Sequence, residues 1–227
     1  PAEHAHNYLG REGVAPFDLL ADGRAEVEAY GVEVTGDRVQ AVTRTEHGFA
    51  VGTGNGREVT ARRVLIATGA GDELPDVPGL AARWGRDVLH CPYCHGWEVR
   101  DRAIAVLATT PMAGHQGLLF RQLTDDVVIV VADGVELPHD DVERMAAIGV
   151  RIEHGTPKEV VTDGDRLVGL RLADGSVLER EAIVVGARPQ VHLEFLAPLG
   201  LEPQEVEFGG VPMGTVIPVD GGLGMGH

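Results

Sequence analysis

The sequence predicts an α/β protein of two domains, one inserted into the other, and three observations carry that expectation. Short apolar runs such as Ala103–Ala108 and Val127–Val131 alternate with helical patterns from residue 103 onward, the signature of βαβ units around a parallel sheet. Alternating segments at 38–43, 48–53 and 58–61, with a turn at Gly54-Asn55-Gly56, read as an antiparallel β-meander. Two apolar strands, at 62–70 and 183–186, run into linkers that cross into a second domain and back.

In chain order, residues 1–10 read as a loop. Pro16 opens a helical pattern (Phe17, Leu19, Leu20, Ala25, Val27, Ala29, Tyr30) that stops at Gly31. Val32 and Val34 begin the meander. Its glycines 52, 54 and 56 resemble a phosphate loop superficially, but no helix follows them, so they read as a hairpin. Residues 62–70 read as a buried strand ending in Ala67-Thr68-Gly69. Such a strand end offers backbone N–H groups and a hydroxyl where α/β sheets bind ligands. Residues 71–80, with Pro75, Pro78 and Gly79, read as the first crossing linker. Then follow strand 103–108, a turn at 109–112, helix 113–123, strand 127–131 leading to Asp133, helix 138–148 and strand 150–153. Hairpin segments at 158–162, 165–172 and 177–181 precede the second crossing, Ile183 to Pro189. A short helix at 192–199, glycine-rich loops and a strand at 215–219 complete the pattern.

Charge narrows the function classes. With 35 acidic against 19 basic residues the formal charge is −16, which argues against nucleic acid and anionic membrane as partners. No apolar run reaches membrane-spanning length and no N-terminal signal pattern is present, so a cytoplasmic location is expected. In that compartment a lone CxxC is more plausibly catalytic than structural.

The stretch His90-Cys91-Pro92-Tyr93-Cys94-His95-Gly96-Trp97-Glu98 holds the only two cysteines of the chain. Their spacing lets the thiols form and break a disulfide in place. The thiolate is the reactive form, and His90 and His95 flank the pair, able to stabilise a thiolate as imidazolium or to take its proton as imidazole. Zinc is the competing reading, but four ligands within six consecutive residues make a poor tetrahedron and no second pair exists, so no metal is expected. The letters CPYC also suggest a glutaredoxin. Gly96 and the strand beginning at Ala103 leave no room for the long helix that chemistry requires, and a turn entering an α/β unit is expected instead.

The order of parts carries a resemblance. An Asn7-Tyr8-Leu9-Gly10 loop before a helix, the meander, the Ala67-Thr68-Gly69 strand end, a dithiol followed by Gly96, a βαβ unit and the return at Gly186-Ala187-Arg188-Pro189 resemble the low-molecular-weight thioredoxin reductases and their relatives over nearly the whole chain. The resemblance implies two Rossmann-like domains, binding FAD and NAD(P), with a β-meander. Residues 1–78 plus 188–227 would form an FAD-type domain and residues 79–187 the inserted NAD(P)-type domain with the CxxC.

It further implies a flavin-dependent disulfide oxidoreductase in which electrons pass between FAD and the Cys91–Cys94 pair and on to a thioredoxin-like protein or a small-molecule disulfide. Cys94 would lie nearest the flavin and Cys91 would attack the substrate; FAD contacts would fall on Asn7, Ala67, Thr68 and Gly69, and the assembly would be a homodimer. The departures matter as well. His95 stands where the reductases carry aspartate, as in dithiol oxidases that close disulfides with oxygen as acceptor. In the inserted domain Ala108, Thr110 and Ala113 occupy the phosphate-loop glycine positions, which sets NAD(P)H contacts at Thr110 and Ala113 against a retained fold with a lost site. The family's first FAD loop would lie upstream of Pro1 and its Gly-Asp motif beyond Asp220, so a flavin-free interaction domain is the reading from another class.

Overall fold

The computed structural model describes residues 3–208 and 211–217. In chain order its elements are α1 (Pro16–Ala29), β1 (Val39–Thr45), β2 (Gly48–Thr53), β3 (Glu58–Ala61), β4 (Gly71–Glu73) and β5 (Val88–Leu89). There follow α2 (Pro92–His95), β6 (Ile104–Ala108), α3 (Ala113–Phe120), β7 (Val127–Val131), α4 (His139–Ala147) and β8 (Arg151–His154). The remainder are β9 (Pro157–Asp163), β10 (Arg166–Leu172), β11 (Val177–Glu179), β12 (Ala182–Val185), β13 (Arg188–Gln190), β14 (Gln204–Phe208) and β15 (Val211–Val216). The chain divides into two compact units, residues 1–26 with 74–187 and residues 27–73 with 188–227.

The first unit is built on a parallel sheet of order β5-β12-β6-β7-β8. Its strands are apolar throughout because both faces are covered, and side chains alternate between two cores. Ile104, Val106, Val127, Ile129 and Val184 point to the helical side with Phe120 and Met145. Ala105, Leu107, Val128, Val130 and Ile183 point the other way, against Leu167, Leu170 and Leu172 of the antiparallel sheet β11-β10-β9. Helix α3 packs close because it carries glycine: a Cβ on Gly117 would meet Ile129 Cδ1 at 2.4 Å, and one on Gly114 would meet Asp141 Cβ at 2.9 Å.

In the second unit β1-β2-β3 form the expected meander. Val42 packs with Leu193 and Leu196, the latter two from a 3₁₀ turn over Glu194–Leu199. Two-stranded pairs β4–β13 and β14–β15 complete it.

The α/β class and the helices and strands from 104 to 185 agree with the sequence reading; several other elements do not. Residues 62–70 form no strand, and Leu65 is 90 % exposed. An apolar, β-branched run can pair, but it becomes a strand only where neighbouring N–H and C=O groups meet it, and no described residue offers them. Val32–Val34 is likewise irregular, and the crossing linker begins with β4. The dithiol segment is a single α-helical turn and not an irregular turn, because Pro92 sits at its first position with φ already set for a helix. The last expected strand appears as β15, while its residues 218–219 and the glycine-rich tail 221–227 lie outside the described residues.

Gly96 closes the helical turn with its N–H on the Pro92 carbonyl at 2.9 Å, and a Cβ there would meet that oxygen at 2.4 Å and Leu123 Cδ1 at 2.5 Å. Backbone cannot yield as a flexible side chain can. Gly96→Ala is therefore expected to destabilise the protein by about 1–3 kcal/mol, read as a lower urea midpoint with an unchanged slope.

Candidate active site

All strands of the parallel sheet end at one edge, and β5 delivers the redox pair there. Val88 and Leu89 are buried and pair with Ile183 and Val184 of β12, so His90 and Cys91 emerge beside the end of that strand. His90 Nδ1 lies 2.9 Å from the Val185 carbonyl oxygen. Cys91, with extended backbone, caps α2, and the His95 N–H reaches its carbonyl at 3.3 Å. Three residues apart on one helical turn, the two cysteines share a face. Beyond Gly96 a second turn, Trp97–Val99, is anchored by fully buried Val99.

Both cysteines are free thiols, Cys91 half-buried and Cys94 exposed. The hydrogen bond between them and partial burial push the Cys94 thiol up to about 11. The shift keeps Cys94 a thiol at neutral pH and makes the two sulfurs unequal. His95 follows directly, only 6 % exposed, with Nδ1 buried and unpartnered. Tyr93 and Trp97 face solvent, and the Arg100 guanidinium lies 4.0 Å from the Trp97 ring centroid.

The turn is tied to the N-terminal loop of its own unit. His6 bridges Glu12 at 2.6 Å and Glu98 at 3.0 Å, and the paired carboxylates raise its pKa while its bond lowers that of Glu12. Asn7, in a left-handed conformation, donates its N–H to Glu12 Oε2 at 2.9 Å.

The other residues singled out by sequence are placed within their own units as follows. Thr110 stands in the turn after β6, half-buried at the same sheet edge, whereas Ala113 is 2 % exposed and packs in the helical-side core. Ala67, Thr68 and Gly69 are exposed in the second unit. Asp133 accepts a hydrogen bond from the Thr156 hydroxyl. Among the described residues no group of three or more metal-ligating side chains assembles. By sequence Gln116, at the start of a helix over the turn after β6, could face a ligand or be merely solvated, and the structure sets it 3.1 Å from His90; the pairing of Glu98 with His6 had no signal in the sequence.

A parallel α/β sheet with a dithiol at its carboxyl edge defines a disulfide-exchanging oxidoreductase scaffold. The model of the pyridine nucleotide-disulphide oxidoreductases matches residues 3–208, and the chain belongs to that family. Thioredoxin reductase aclD of Aspergillus oryzae is 28 % identical over 217 residues, covering 89 % of this chain and 68 % of the relative. A probable thioredoxin reductase of Arthroderma benhamiae is 30 % identical over 146 residues, and the match spans 61 % of this chain but 36 % of that protein. Among solved structures, HlmI superposes with a TM-score of 0.81 at 40 % identity, over 95 % of this chain and 71 % of its own. An oxidoreductase from Agrobacterium tumefaciens gives 0.85 at 32 % identity, over 97 % and 72 %. No helix among the described residues is long and apolar enough to cross a membrane.

Two outcomes are expected. With reduced protein at pH 8, limiting iodoacetamide labels Cys91 well ahead of Cys94, whose raised pKa keeps it a thiol, as peptide mass mapping will read; equal labelling contradicts the asymmetry. For His6, whose folded pKa is raised, the tether is fully present below the unfolded value near 6.5 and is lost as pH rises through the folded value. Protection of the Asn7 amide against hydrogen exchange, corrected for intrinsic rates, is expected to fall over that rise and to lose its pH dependence in His6→Gln.

Proposed function

We propose that the chain works as a flavin-dependent dithiol–disulfide oxidoreductase whose exchange centre is Cys91–Cys94. The observation that carries this reading is the placement of the pair: two free thiols one helical turn apart where β5 leaves the carboxyl edge of the parallel sheet, with the Cys94 thiol pushed up beside Cys91. In the reductive direction Cys91 thiolate attacks a substrate disulfide, forming a mixed disulfide and releasing one substrate thiolate, which takes up a proton. Cys94 then gives up its proton and attacks the Cys91 sulfur. The mixed disulfide breaks, the second substrate thiol leaves protonated, and the enzyme pair is oxidised by two electrons. The reverse sequence oxidises a substrate dithiol. His95, beside Cys94 with a buried unpaired Nδ1, is the residue proposed to hold or return the Cys94 proton.

FAD, when bound, supplies the two-electron couple that this pair exchanges with. The tract proposed to contact it, Ala67 to Gly69, fits such a group: it is exposed, Gly69 has φ +65°, and nothing lies within 4 Å of where a Cβ on Gly69 would stand. Asn7 is the further proposed contact. The proposed domain division assigns residues 1–78 and 188–227 to FAD and 79–187 to the dithiol domain, whereas residues 1–26 cluster with 74–187 in the structure. A thioredoxin-like protein or a small disulfide is the proposed partner, and a homodimer the proposed assembly.

A nicotinamide dinucleotide fits less well. The turn after β6 carries Thr110 and Pro111 where pyrophosphate needs bare backbone. This feature favours a second reading, a dithiol oxidase that closes disulfides in small molecules and passes electrons to oxygen.

The test uses FAD-supplemented protein under anaerobic conditions. A dithiol is expected to bleach the yellow flavin absorption, NADPH to leave it unchanged, and Cys94→Ser to lose the dithiol response. Protein that stays colourless, or Cys94→Ser that bleaches at the wild-type rate, defeats the proposal; bleaching by NADPH defeats the oxidase reading alone.

A further inference from the structure

The exchange steps above make no use of the contact that joins the N-terminal loop to the dithiol turn. The loop is closed on itself by an antiparallel bridge between Ala5 and Val14, with the Ala5 N–H on the Val14 carbonyl at 2.8 Å and the Gly13 N–H on the Ala5 carbonyl at 2.9 Å. His6 leaves this loop with both ring nitrogens engaged: Nδ1 lies 2.6 Å from Glu12 Oε1 and Nε2 lies 3.0 Å from Glu98 Oε1. Loop and turn belong to the same compact unit.

Such a contact needs an extra proton. An ionised carboxylate only accepts, and a neutral imidazole has a single N–H to give. Carboxylates facing both nitrogens are therefore satisfied by the imidazolium, which donates from both sides. The two ends differ in what they lose without it. The Glu12 side chain is 66 % exposed, so water can replace His6 there, and its other oxygen accepts the Asn7 N–H at 2.9 Å. The Glu98 side chain is only 21 % exposed, and its Oε2 is buried with no hydrogen-bond partner. His6 is thus the donor that a half-buried carboxylate depends on. The titratable groups facing His6 are these two carboxyls and His4, whose ring centroid stands 6.4 Å away.

Glu98 is continuous with the dithiol. Gly96 has helical dihedrals (φ −72°, ψ −26°), so α2 runs directly into the turn Trp97–Val99. The N–H groups of His95, Gly96, Val99 and Arg100 bond in succession to the carbonyls of Cys91, Pro92, Gly96 and Trp97. Two turns are too short to hold themselves and depend on tertiary anchors. Buried His95 and Val99 supply one set, and the bond from His6 to Glu98 supplies another.

We propose that His6 is a positioning residue for the exchange centre: as an imidazolium shared by Glu12 and Glu98 it fastens the two turns that carry Cys91 and Cys94 to the N-terminal loop, so the alignment of the sulfurs depends on a proton that neither sulfur holds. This deepens the proposed function and rests on Cys91–Cys94 as the exchange pair. The carboxylates raise the His6 pKa, so the latch is complete below the ordinary histidine value of 6.5 and is released as pH rises through the folded value.

The experiment mixes reduced protein with dithiodipyridine and follows the two thiones released. The first leaves when one cysteine forms the mixed disulfide, the second when the other cysteine closes the Cys91–Cys94 disulfide. The closing rate is compared between variants at equal pH, which removes the shared rise in thiolate. At pH 6 His6→Gln, which can donate to one carboxylate only, is expected to close roughly threefold more slowly than wild type. That difference is expected to vanish once pH exceeds the folded value for His6. His6→Lys and His6→Arg, cations throughout the range, are expected to keep a constant advantage over His6→Gln. In a proton NMR titration of the ring, Glu98→Gln is expected to lower the His6 pKa. Closure in His6→Gln as fast as wild type at pH 6, a ratio that does not change with pH, lysine and arginine variants that both follow glutamine, or a His6 pKa unmoved by Glu98→Gln each overturns the proposal. Wild type that releases no second thione would instead fail the exchange-centre reading, while the ring titration still decides whether Glu98 shares the His6 proton.

Discussion

The pairing of two short parallel segments governs the rest. Strand β5 is two residues long, yet Val88 and Leu89 are held between both cores and aligned on Ile183 and Val184 of β12. Because parallel strands finish at the same edge, that register decides where the chain leaves the sheet and therefore where Cys91 stands. A shift of one residue would turn Leu89 from one core to the other and send His90 inward. The dithiol is thus positioned by hydrophobic alternation several residues away from it.

The chemistry of the pair follows from what the turn does to two otherwise identical thiols. Cys91 lies at the cap position with extended backbone, and Cys94 lies one turn on, within reach of it. Proximity to Cys91 and desolvation both raise the cost of ionising Cys94. Gly96 and Val99 make this geometry repeatable: the first lets the chain pass close to Pro92 and Leu123, and the second pins the following turn in the core. Ordering a small loop in this way reduces what each exchange step would otherwise spend on alignment.

How much of this could be read from sequence depended on the kind of signal. Segments buried on both sides, such as Val127–Val131, have uninterrupted apolar runs between helical patterns and were legible to the residue. Strand β5 was not, since two residues carry no period. Residues 62–70 carried a strong strand pattern without a described neighbour to pair with, because composition encodes the capacity to pair and not the presence of a partner. The cysteines and His95 were legible as chemistry from their spacing. Gln116 was not: its partners are the carbonyls of residues 90 and 185, and a carbonyl has no letter. Ala113 was placed by counting along a motif, at the position that serves close helix–strand packing, and the structure buries it in the helical-side core.

The carboxyl edge of a doubly wound sheet opens a crevice where neighbouring strands part company, and there such sheets bind their ligands. Here that place falls between β6, whose helix leads on to β7, and β12, which returns beside it from the far end of the sequence. Gln116 from the helix after β6, the Val185 carbonyl from the end of β12 and His90 from the end of β5 bond to one another across it.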